Sequence, residues 1–172
     1  MKKLIALFAA IVLVSGLTST VNAQTQGVKA TATGSATIIT PIAISKTTDM
    51  NFGNVAVNAT AGTVVLTPAS GRSITGGATL PAVTGTVTAA VFHVTGLGTS
   101  TYAITLPTTY TINDGASHTM LVNTFTSTPS GTGTLSSGAQ DIQVGATLNV
   151  AALQPAGAYA NATGFDVTVN YN

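Results

Sequence analysis

Apolar residues in this chain recur at every second position, in run after run. Ile142, Val144, Ala146, Leu148 and Val150 share one parity. So do Phe165, Val167, Val169 and Tyr171, with Asp166, Thr168 and Asn170 between them. A period of two places one set of side chains on each face of an extended strand. Nothing from residue 24 onward sustains the i, i+3, i+4 spacing of a helix, and 18 Gly with many Thr and Val disfavour one further. Short alternating runs divided by turn residues predict an all-β, antiparallel β-sandwich. Strands are expected at 36–45, 49–57, 62–67, 86–95, 101–106, 117–122, 139–151 and 163–171, with loops at 68–85 and 128–138. Pro107 closes the run Tyr102, Ile104, Leu106. Asn113-Asp114-Gly115 reads as a tight turn, and Gly145 as the mark of a bulge.

The alternation near the N-terminus outlasts one strand. Val28, Ala30, Ala32, Gly34, Ala36, Ile38, Ile42 and Ile44 share a parity that only Thr40 interrupts, with Lys29, Thr31, Thr33 and Ser35 opposite. A mean strand is about 5–6 residues. The surplus implies two jobs: one stretch joins this chain's own sheet, and the stretch before it pairs elsewhere. At the other end, alternation runs to Tyr171 with nothing after it to cover the strand's far side. The pattern describes a sandwich able to lack one strand and to donate one, with an extended N-terminal strand segment.

Met1-Lys2-Lys3, the apolar run Leu4–Leu17 and the small residues of Val21-Asn22-Ala23 have the order of a secretory signal peptide cut before Gln24. The apolar run is short of the roughly 20 residues of a membrane-spanning helix, so no span is expected after cleavage. Three parts follow: a signal peptide at 1–23, an N-terminal extension at 24–37 and a β-sandwich domain at 38–172. Beyond the leader, Lys29, Lys46 and Arg72 face Asp49, Asp114, Asp141 and Asp166, a net charge of −1. Without a basic patch, nucleic acid is a poor partner. The absence of cysteine excludes disulfides and thiolate metal sites. Charged residues make up 5% of the chain, against about 25% in an average soluble domain. Such a surface is suited to packing against copies of itself, or to meeting the outside world as a neutral, protease-poor coat.

Catalytic equipment is hard to find. Acid–base chemistry needs convergent titratable groups, and the chain has no Glu. The four Asp read as turn or solvated carboxylates. His93 lies in a strand between Phe92 and Val94, and His118 follows a turn. Neither shows zinc-ligand spacing or a Gly-x-Ser-x-Gly elbow. The glycine pairs Gly96/Gly98 and Gly131/Gly133 open no phosphate-binding helix. Asn58-Ala59-Thr60 and Asn161-Ala162-Thr163 fit the glycosylation sequon, a pattern frequent by chance in so Thr-rich a chain. Tyr102, Tyr110 and Tyr159 are candidate contacts, more simply explained as core or edge residues. No enzyme, cofactor or metal is expected.

The ordered set Asp49-Met50-Asn51-Phe52-Gly53, Val91-Phe92-His93-Val94-Thr95-Gly96, Tyr102-Ala103-Ile104-Thr105-Leu106-Pro107, Val144-Gly145-Ala146-Thr147-Leu148 and Pro155-Ala156-Gly157-Ala158-Tyr159 through Phe165–Tyr171 resembles the bacterial domain-of-unknown-function 4402 family. That family is similar in layout to chaperone–usher pilins of the spore-coat-protein-U type. The resemblance implies an immunoglobulin-like sandwich, a fimbrial or surface-adhesin role in a Gram-negative bacterium, and passage through the periplasm to the cell surface. It also implies a periplasmic chaperone and an outer-membrane usher as partners, alongside copies of the chain or related subunits. Unlike many pilins, this chain has no disulfide.

The expected function is a secreted fibre subunit that assembles by donor-strand exchange. Val28, Ala30, Ala32, Gly34 and Ala36 would be the donor's pocket residues, and Phe165, Val167, Val169 and Tyr171 would line the acceptor groove. The rival expectation is a monomeric adhesin module, with 26–37 folded back as its own edge strand and the loops at 68–85 and 128–138 binding a glycan or protein.

Overall fold

The computed structural model describes residues 27–172, so the expected signal peptide lies outside the described residues. Ile38–Asn172 is one compact unit, and residues 27–37 belong to a separate one. No helix occurs among the described residues. Ten strands do: β1 (Ala43–Thr48), β2 (Ala56–Leu66), β3 (Arg72–Thr79), β4 (Ala90–Thr95), β5 (Thr101–Thr105), β6 (Thr109–Asn113), β7 (Thr119–Thr128), β8 (Thr132–Thr134), β9 (Ala139–Val150) and β10 (Thr168–Tyr171). Seven form one antiparallel sheet, and β10-β5-β8 form a second. The all-β sandwich expected from the alternation is the fold observed.

β9 organises the larger sheet. Its residues 139–144 pair with β4, 146–150 with β2, and 143–149 with β7. The parity read from the sequence is the buried one: Ile142, Val144, Ala146, Leu148 and Val150 are all buried. The first two join a core with Phe92 and Val94 of β4, Tyr102 and Ile104 of β5, and Val167 and Val169 beside and within β10, which glues the two sheets together. The last three join a second core with Phe52, Val64, Leu66, Ala78 and Val122. Burying each Val, Leu, Ile or Phe side chain of these cores contributes about 1.5–3 kcal/mol.

Several expected boundaries move. The strand predicted from 36 begins only at Ala43, and residues 27–42 carry no strand. Pro41 has no N–H to donate, and it ends any ladder running back toward Thr40. The expected loop at 68–85 contains β3, and that at 128–138 contains β8. β6 also was not expected. β3 and β8 lack the apolar alternation that made the others legible, whereas β6 alternates through Tyr110 and Ile112 but is only five residues long. β3 reads Arg-Ser-Ile-Thr-Gly-Gly-Ala-Thr, and β8 is Thr-Gly-Thr. The expected strand at 49–57 forms no ladder before β2 starts at Ala56, only the isolated bridge of Asn51 with Thr88 and single hydrogen bonds such as the Asn54 N–H to the Thr84 carbonyl. Of 163–171, only Thr168–Tyr171 is strand. The bulge belongs to β7, where Thr124 adopts φ 49° between the pairs Asn123↔Thr147 and Thr126↔Gly145. Gly145 lies opposite it, with the Leu66–Pro68 backbone so close that no Cβ fits.

Candidate functional site

A cleft of about 1270 Å³ opens beside the second core. One rim is the irregular stretch after β1, and the other is the irregular stretch between β9 and β10. Tyr110, Ile112, Met120 and Val122 of β6 and β7 stand behind it, with Leu148 and Val150 of β9. Arg72 fixes the first rim by donating from Nη1 to the carbonyls of Phe52 (2.6 Å) and Asn54 (3.0 Å). The second rim is tied to β6 by the Asn113–Ala160 bridge, and by Asn161, whose Nδ2 donates to the Thr111 carbonyl at 2.8 Å. Phe165 is the hub of an aromatic group, with ring centroids 5.1 Å from Phe125, 5.5 Å from Tyr110 and 6.1 Å from Phe92. Edge-on and tilted contacts at these separations are favourable for aromatic quadrupoles.

Of the four residues expected to line an acceptor groove, only Phe165 faces this cleft. Val167 and Val169 are buried in the first core. The Tyr171 hydroxyl accepts from the Leu97 N–H (2.7 Å) and donates to the Thr40 carbonyl (2.9 Å). Val28, Ala30, Ala32, Gly34 and Ala36 are all exposed and belong to no strand. The Tyr171 latch on Thr40, the Arg72 anchor and the second rim were not anticipated. Their partners are far apart in sequence, and no local spacing announces such contacts.

Both histidines form carboxylate pairs. His93 Nδ1 lies 2.6 Å from Asp141 across β4 and β9, and His118 Nδ1 lies 2.6 Å from Asp114 at the β6–β7 turn. All four side chains reach solvent, one pair bridging two strands and the other closing a single turn. Among the described residues, no cluster of three or more His, Asp or Glu is placed to hold a metal. The tyrosines are committed structurally: Tyr102 donates to Gln140 Oε1 (2.7 Å), Tyr110 to the Asn161 carbonyl (2.7 Å) and Tyr159 to the Pro155 carbonyl (2.9 Å). Burial, then the Asp141 charge, raises the Tyr102 phenol above its ordinary value. Asn161 uses both ends of its amide, and Asn58 accepts from the Thr60 N–H.

Asp114 shows what the polar turn contributes. The His118 ring and then the Ala116 N–H hydrogen-bond its carboxylate and hold it below the ordinary 3.8. A depressed carboxyl contributes stability above the unfolded-state value and loses it as pH falls through the folded-state value. Asp114→Ala should therefore melt lower than the parent at neutral pH, with the gap closing only below 3.8. Thermal unfolding of both proteins from neutrality to about pH 2 checks this. A gap that stays constant throughout would remove the carboxylate from the account.

The described residues contain no helix long and apolar enough to cross a membrane. No curated protein and no solved structure matches the chain. A family model does match over residues 42–171, from the last residue before β1 to the end of β10. The chain thus belongs to the family described as Domain of unknown function (DUF4402).

Proposed function

We propose that this protein is a structural subunit of a secreted surface fibre, in which an extended arm of one copy completes the fold of the next. The observation that carries this reading is the exposed, alternating, unpaired segment 27–41, attached to a sandwich with an edge strand at β10 and an open cleft. In strand addition, main-chain hydrogen bonds supply affinity and alternate side chains fill pockets. The alanines of the arm are small, each worth about 1 kcal/mol or less by buried area, so the backbone ladder carries much of the affinity. The 5% charge content suits a surface that packs against its own copies. The pilin likeness noted in the sequence supports the same reading, with export through the periplasm and a chaperone and usher as helpers.

Size-exclusion chromatography and electron microscopy on the mature protein test it, beside a version starting at Thr37. Fibres or SDS-resistant multimers from the mature chain, lost on truncation, are expected. Two equally stable monomers would overturn the proposal.

A further inference from the structure

We propose that strand β3 pairs edge to edge with β3 of a second copy, antiparallel about a two-fold axis that sets Ile74 opposite Ile74. The contact uses neither the arm nor the cleft, and it stands or falls apart from the fibre reading.

β3 is an outermost strand of the larger sheet, bonded to β2 on one side alone. Which of its groups face outward follows from the hairpin turn. The Thr67 N–H donates to the Gly71 carbonyl at 2.8 Å. Hydrogen-bonded pairs alternate along an antiparallel ladder, so Val65↔Ser73 and Thr63↔Thr75 are bonded as well. The N–H and C=O of Arg72 and Ile74, and the N–H of Gly76, therefore point away from β2. Among the described residues, none of these groups bonds another element. Little in the strand guards this edge. Residues 73–79 include no Lys, Asp, Glu or Pro, the types that keep exposed strand edges from pairing. The Arg72 guanidinium is engaged elsewhere, on the Phe52 and Asn54 carbonyls. β1 by contrast carries Lys46, and β6 has its outer edge closed by Ala160 and the Asn161 amide.

The register follows from the ends of the strand. The turn at 67–71 bounds the straight part of β3 on one side. On the other, Gly76 at φ 62° bends the chain where β2 bulges opposite. Ile74 is the midpoint of 72–76. On the axis it exchanges both hydrogen bonds with its copy, and each Gly76 N–H reaches an Arg72 carbonyl. Arg72 then faces Gly76 rather than a second Arg72, so like charges are not opposed. The Ile74 side chains, 39% exposed, meet beside the buried pair Val64 and Leu148 and extend that apolar row. On the other face Ser73 stands opposite Thr75, a hydroxyl pair of the kind Thr75 already makes with Thr63 at 2.7 Å. Two edges this short bury less than a standard interface, so free monomers pair weakly. Copies held in a row gain by avidity.

The chain has no cysteine, so introduced thiols report without background. Directly opposed antiparallel residues have Cα atoms about 4.5–5.5 Å apart, and diagonal ones about 7–8 Å. Disulfides form within about 4.4–6.8 Å. On mild oxidation of the full mature chain, Ile74→Cys should give a covalent dimer. Ser73→Cys and Thr75→Cys, both at exposed sites, should crosslink when mixed and stay uncrosslinked alone. That second pair decides the matter if Ile74→Cys melts below the parent. Adding Ala32→Asp and Ala36→Asp, which should block assembly through the arm, should leave all these crosslinks in place. Monomers throughout, or equal crosslinking by every variant, would overturn the pairing and leave the fibre reading untouched. Crosslinks lost only in the charged-arm chain would assign the contact to the arm and overturn the proposal as well.

Discussion

Aspartate in place of both Ala32 and Ala36 should abolish assembly while leaving the subunit folded. Both alanines are exposed in the 27–41 segment, and neither contributes to the two cores. In the assembled state they would face the neutral interior of a second copy. An ionised carboxylate there lacks a partner and resists desolvation. Two such penalties of about 2 kcal/mol each already weaken association by roughly 10³-fold. The companion variant Thr31→Asp with Thr33→Asp adds the same charge on the opposite parity and should still assemble. Electron microscopy reads assembly, and thermal unfolding confirms that all variants fold alike. Normal fibres from the alanine-site variant, or equal loss in both, would sink the alternating-pocket account.

The second large effect is on stability. Gly145→Ala should cost about 3 kcal/mol or more, at the upper end of overpacking penalties. A Cβ at this position would stand 2.1 Å from the Leu66 carbonyl oxygen, 2.7 Å from the Thr67 carbonyl carbon and 2.9 Å from the Pro68 nitrogen. All three are backbone, so no flexible side chain can yield, and strand β9 would have to separate from the end of β2. The melting midpoint should fall by roughly 10 °C. Gly157→Ala is the control, since its nearest neighbours are 3.7 and 3.8 Å away and it should be close to neutral. Matching melting curves for the two would show that the β2–β9 junction is looser than described.

The parity of β9 and β10 was legible because each has one face on a core: the same alternate residues that look apolar in sequence are the buried ones. β3 and β8 escaped for the converse reason, and β6, which alternates through Tyr110 and Ile112, because it is only five residues long. They are stabilised by ladder hydrogen bonds to better-patterned neighbours, and Thr-Gly-Thr carries no signature of that. The arm shows the limit from the other side. Alternation at 28–38 states that the segment is able to pair, and leaves its partner undefined. Phe165 opens an apolar row and lies at the cleft. Val167 and Val169 belong to the same row, yet β5 and β9 had already claimed them for the core. The clamp from Tyr171 to Thr40 spans 131 positions, and the Arg72 anchor to Phe52 spans 20. Contacts of this kind exist only once the topology is known.

The shared role of β9 also dictates an order of events when the chain folds. Before Ala139–Val150 is available, residues up to 138 can form the β2–β3 and β6–β7 hairpins and the β1–β4 pair. Isolated two-stranded ribbons are marginal in water. β4, β2 and β7 become one sheet only when β9 arrives to bind all three. Closure is therefore late, dominated by non-local pairing and slow, and the waiting chain displays unpaired strand edges that invite misassociation. The ribbons made earlier in the chain thus wait as separate pieces until one strand near the C-terminal end joins them.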